Sequence, residues 1–293
     1  MASDLFDLLS YGFFQRALLG GAVAAVACAV VGVFILLRKE AMVGHGIAHV
    51  SFGGVAVGVL MVSTGVYVGS ETTFPLLTAL LVSVSAMLAI TALRRRGVAE
   101  SDAALAMVTA LGFAAGIIII SLADGFSVDL FSYLFGNVLT ITWAELGLTL
   151  VLGAVIVAFV MVLYKELLSV TFDEEAARLT GLPVNGLGVA FDVLVACTIV
   201  MSIKVVGIVL VSALIAIPGI TAFQLRLSFS GTLLAAVLLG VLAVVLGIFI
   251  SAVYEVATSG LIVVVALVLL GVTMLYVRLG DAPEVDATAD GVA

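Results

Sequence analysis

The chain holds only two histidines, His45 and His49, and both fall in the segment AMVGHGIAHVSFGG. Neutral imidazole is a common transition-metal ligand, and helical residues four apart share one face, about one turn from each other. The pair can therefore offer two nitrogens to one cation. A plainer reading is that both rings only hydrogen-bond to neighbouring helices. The same spacing occurs in the H-E-x-x-H signature of zinc proteases, where the glutamate acts as general base. Here that position is Gly46. With no local base to activate a metal-bound water, transient binding suits the pair better than hydrolysis.

The element that must position these rings belongs to a membrane bundle. Hydrophobic residues make up 64% of the 293-residue sequence, far outside the range of water-soluble domains. A spanning helix needs roughly 20 apolar residues to cross a hydrocarbon core about 30 Å thick. The apolar runs predict an all-α polytopic transmembrane bundle of about nine spans, within a range of eight to ten: 17–37, 43–66, 74–93, 103–122, 145–164, 186–203, 205–223, 231–251 and 258–277. Only Lys204 separates the sixth from the seventh, so a merger there would give an even count. An ionisable side chain in lipid is costly and usually faces a cavity or the bundle interior, which favours an ion-binding role for the histidines.

Charge sets the expected orientation, because short cytoplasmic loops hold Lys and Arg. With the N-terminus outside and the C-terminus cytoplasmic, nine of the eleven basic residues lie on the cytoplasmic side of the cell membrane, leaving Arg16 and Lys204 outside. The first residues carry Asp4 and Asp7 and read as an amphipathic lead-in to the first span, not as a cleaved signal. Residues 1–280 are expected to form a single transmembrane domain, and 281–293 an acidic, disordered cytoplasmic tail. Cys28 and Cys197 sit in apolar spans and read as inert thiols. A net charge of −8 argues against nucleic acid as a partner. On the outer side, Glu71, Asp124, Asp129 and Glu255 form a candidate cation entrance, since a surface of one sign concentrates counter-ions. Asp192, inside the sixth span, is a candidate further metal ligand or a helix-to-helix hydrogen-bonding group.

The loop KELLSVTFDEEAARLTGLPVNG reads as a short polar helix closed by a Gly-Leu-Pro turn. Its E-A-A-x-x-x-G spacing resembles the loop by which ABC importer permeases dock on their ATPases. Together with LLRKEAMVGHGIAHVSFGGVAVG, LFGNVLTITWAEL, KVVGIVLVSALIAIPGITA and GLIVVVALVLLG, it resembles, over nearly the whole chain, the permeases of the zinc, manganese and iron(II) ABC importers. The resemblance implies a permease homodimer, two cytoplasmic ATPase subunits and an extracytoplasmic metal-binding protein. It marks Asp173, Glu174, Glu175, Ala176, Ala177 and Gly181 as the ATPase-coupling segment. No permanently bound cofactor is expected, and the metal, zinc or manganese, is expected to bind transiently as cargo.

One departure bears on the cargo. Where the family reads Gly-Asp-x-x-x-His, this chain has Gly44, His45 and then His49. Nitrogen in place of a carboxylate favours zinc over manganese. Two histidines leave a tetrahedral site incomplete, so carboxylates, water or the second protomer must supply the rest. No Gly-rich phosphate loop of the Walker type is present, so the chain is not expected to be an enzyme and ATP is expected to be hydrolysed by a separate polypeptide. The rival reading is an ATPase-independent secondary cation transporter or channel, which would string polar residues along a pore.

Overall fold

A computed structural model describes residues 10–66, 73–98, 100–122, 133–136 and 138–280. Ten helices longer than one turn follow one another: α1 Gly12–Leu37, α2 Met42–Ser63, α3 Thr73–Arg95, α4 Ser101–Leu122, α5 Trp143–Val162, α6 Tyr164–Phe172, α7 Glu174–Leu179, α8 Val184–Gln224, α9 Phe229–Tyr254 and α10 Thr258–Gly280. Eight of these are long and apolar enough to cross a membrane. Helices α1, α2 and α8 form the buried centre, whereas α10 is the most open to the surroundings. Glycine lets the central helices approach closely: Gly32 lies against the Ile215 carbonyl and Gly53 against Gly112.

At 41 residues, α8 is about 60 Å long if straight, twice the thickness of a hydrocarbon core. It does not run straight. Gly207 interrupts it with φ 79° and ψ 164°, and the chain doubles back. Phe191 of the first arm stacks edge-on against Phe34 of α1 at 6.0 Å. Gly219 of the second arm packs against Val33 and Leu36, at the same level of α1. The two arms therefore cross separately, and the eight long helices make nine crossings.

The expected break at Lys204 is displaced to Gly207, and the reason is steric. Gly207 and Gly136 both have positive φ and lie backbone against backbone, so a Cβ on either would meet the main chain of the other. Only glycine satisfies both demands. Lys204 stays helical, its ammonium 2.9 Å from Glu145 Oε1 and 4.5 Å from the Tyr133 ring centroid.

Nine of the eleven basic residues gather at the end of the bundle where α1 stops and α2 begins, called here the basic end. Arg16 and Lys204 mark the far end, Arg16 stacking over Trp143 at 5.2 Å. Among the described residues, three non-glycine residues just past helix ends adopt left-handed backbone, namely Lys39 (φ 59°), Arg226 (φ 51°) and Glu255 (φ 54°).

Candidate functional site

His45 and His49 lie in the first two turns of α2, on its basic-end half. The helical spacing brings their ring centroids to 4.3 Å, tilted by 49°. His45 is exposed and His49 half-buried. His49 Nδ1 is 3.0 Å from the His45 carbonyl oxygen. A carbonyl can only accept, so Nδ1 carries the proton and Nε2 keeps the lone pair that a metal needs. Phe113 of α4 stands 5.3 Å from the His49 ring and 5.2 Å from Phe52, an apolar wall that limits how the imidazole can turn.

Gly46 explains how α4 comes so near. A Cβ there would fall 2.5 Å from Leu105 Cδ1 and 2.7 Å from the Thr109 hydroxyl. A side chain at the position that carries the base in zinc proteases would therefore have to displace Leu105 and Thr109. The general base of a zinc protease is therefore absent from this position, as Gly46 in the sequence requires.

The other candidate ligand is elsewhere. Asp192, 4% exposed, lies at the basic end and accepts a 2.6 Å hydrogen bond from Thr91 Oγ1. It does not join the histidines, and no group of three His, Cys, Asp or Glu side chains able to hold a metal occurs among the described residues. Of the candidate entrance carboxylates, Glu71, Asp124 and Asp129 lie outside the described residues, while Glu255 is exposed at the far end, just beyond α9. Glu145, by contrast, faces inward at 2% exposure. Its carboxylate accepts from the Thr142 backbone N–H at 2.9 Å and the Thr142 hydroxyl at 3.0 Å, closing a capping box on α5. The Thr-x-x-Glu spacing was the sequence signal for that role. The thiol of Cys28 pairs with the Ser202 hydroxyl at 2.9 Å, and neither cysteine forms a disulfide.

At the basic end the segment 173–181 forms a discrete projection. Asp173 caps α7 by accepting from the Ala176 N–H at 2.9 Å, and Arg178 pairs with Glu174 at 2.9 Å along the exposed face. Gly181, at φ 85°, ends the helix: its N–H donates to Arg178 O, and the Leu182 N–H donates to Ala177 O. This double closure is the Schellman arrangement, which requires a left-handed residue at that point. Ala177 is buried beneath the turn, whereas Leu179 is 90% exposed and Phe172 67%. Those two exposed apolar side chains were not picked out in the sequence. Bare hydrophobes beside a charged helix are what a protein-docking surface displays.

Behind this projection is a polar cavity of about 460 Å³, whose walls include Arg38, Glu40, Arg94, Glu174, Arg178 and Asp192. Burial pushes the Arg38 guanidinium below its ordinary range, opposed by the nearby Glu40, Asp192 and Glu174 carboxylates.

Known proteins share both sequence and fold with this chain. It is 33% identical to the manganese transport system membrane protein MntC of Halalkalibacterium halodurans, over 97% of each chain. It is 32% identical to the chelated iron transport system membrane protein YfeD of Yersinia pestis, over 93% of this chain and 89% of that one. The solved structure of PsaBC from Streptococcus pneumoniae in complex with Fab superposes with a TM-score of 0.82 at 29% identity, covering 96% of this chain and 100% of that chain. The model of the ABC 3 transport family matches residues 10–277, and the chain belongs to that family.

Proposed function

We propose that the chain is the membrane-spanning permease of an ATP-driven importer for a divalent transition metal, zinc or manganese, and that His45 and His49 bind the cation in transit. The observation that carries this reading is the imidazole pair, with rings 4.3 Å apart and the His49 Nε2 lone pair free. Relatives named for manganese and chelated iron transport support a metal cargo. Imidazole at position 45 tilts the preference toward zinc. Because the histidine pair supplies only two ligands, a homodimer that brings two pairs together, with water, would complete the coordination shell.

In this reading the basic end is cytoplasmic, in keeping with the excess of Lys and Arg in loops that remain inside. The capped helix α7, with Leu179 and Phe172, docks on a separate ATPase subunit, and an extracytoplasmic metal-binding protein delivers the cation to the far end. Closure of the ATPases would shift the permease between outward-facing and inward-facing states.

The test is uptake of radiolabelled zinc and manganese into vesicles containing the chain with its ATPase. His45→Ala and His49→Ala should each reduce ATP-driven uptake by about tenfold to a hundredfold or more while assembly persists, since even the outer-shell partners of a metal ligand matter on that scale. Normal uptake by the double alanine variant would leave the pair a structural role only. Uptake that needs no ATPase would point instead to a secondary transporter or channel.

A further inference from the structure

Arg38 sits where three parts of the molecule meet. It caps α1, and its Nε donates to the Thr171 hydroxyl of α6 at 3.4 Å, two residues before the cap of α7. Its guanidinium lies 4.1 Å over the Phe191 ring of α8. Two residues on, Glu40 is held by Arg94 of α3 at 2.7 Å, and five residues beyond Glu40 stands His45. One side chain thus links the segment leading into the docking helix, the first arm of α8 and the turn that feeds the histidine-bearing helix.

The same side chain is short of partners. Arg38 is half-buried, and its Nη2, itself buried, donates to no protein atom. Asp192, one residue beyond Phe191 and on the same cavity wall, takes a hydrogen bond from Thr91, and a carboxylate has room for several more. The opposite charges share a cavity but do not form an ion pair. A buried charge with unfilled hydrogen-bonding capacity raises the free energy of the state that contains it. A second state in which the two groups meet would be favoured by that difference.

We propose that Arg38 is a positioning residue for transport, whose guanidinium closes onto the Asp192 carboxylate when the docking helix α7 moves, carrying that motion to the turn before His45. The inference rests on the proposed ATP-driven import. The closed form exchanges the Thr171 contact for a charge-assisted pair, so the position of α7 and the register of the α1–α2 turn change together.

The experiment uses the chain with its ATPase in vesicles and measures ATP hydrolysed and metal transported in the same sample. Arg38→Met and Asp192→Asn should each lower the metal moved per ATP by about tenfold or more, while ATP turnover stays within about twofold of the parent complex. The double variant should be no worse than either single one, because both changes remove the same contact. Asp192→Asn keeps an oxygen for Thr91, so it decides the matter if Arg38→Met fails to assemble. An unchanged ratio in Asp192→Asn, equal losses of turnover and transport, or additive losses in the double variant would each overturn the proposal. Failure of the parent complex to transport metal on ATP would instead sink the reading of function on which it rests.

Discussion

The bundle brings opposite charges near one another at both ends and treats them differently. At the far end Lys204 touches Glu145 at 2.9 Å, and the carboxylate also serves the capping box of α5 while Tyr133 covers the ammonium. At the basic end Arg38 and Asp192 share a cavity of about 460 Å³ without meeting. A closed, covered pair resists rearrangement, because separating it would leave two desolvated charges. An unclosed pair has somewhere to go. The contrast suits a molecule hinged at one end and worked from the other.

The contrast predicts a large cost for opening the far pair. Lys204→Met should destabilise the bundle by about 3–5 kcal/mol, since it strands Glu145, and Lys204→Met with Glu145→Gln should recover much of that. Thermal unfolding in detergent reads both values. Equal stability of the single variant and the parent would mean that the pair does not fasten this end.

Next in size comes a comparison of two glycines with similar φ. Gly207 (φ 79°) is pressed against Gly136, whereas a Cβ on Gly181 (φ 85°) would meet nothing within 4 Å. Gly207→Val should therefore prevent correct folding, adding overlap to the roughly 1–3 kcal/mol of backbone strain. Gly181→Val should carry only the strain, leaving the bundle intact while uncoupling ATP hydrolysis from uptake. Limited proteolysis separates the two outcomes, and full-rate uptake by Gly181→Val would remove the docking role from the turn.

The smallest expected effect is a change of preference. His45→Asp should keep part of the transport and move selectivity from zinc toward manganese, as oxygen replaces nitrogen. Because imidazole must be neutral to bind a metal, acidification should weaken uptake in the parent more than in this variant. Competition between the two metals across a pH series measures both effects. Identical profiles for parent and variant would detach His45 from the cation.

Much of this was readable before any coordinates. Long apolar runs gave the spans because lipid leaves a helix few alternatives, and i to i+4 spacing alone placed His45 beside His49. The Asp173–Gly181 turn was legible because caps are local. What escaped were partnerships between distant segments. Nothing near Lys204 announces Glu145, and the reversal at Gly207 is set by contact with Gly136, so charge in an apolar run mislocated it. The cavity around Arg38 is assembled from five helices and the turn before α2, and no single segment carries its outline.

Lys39 and Arg226 hold left-handed positions that glycine would occupy with less strain, and both stand at the basic end. On the proposed orientation, those same cations help to decide, while the chain is still being inserted, which loops stay in the cytoplasm. Each residue then answers to two stages of the protein's life, the second less comfortably than the first. A glycine at either turn would relax the finished backbone and remove one of the cues that steered the nascent chain.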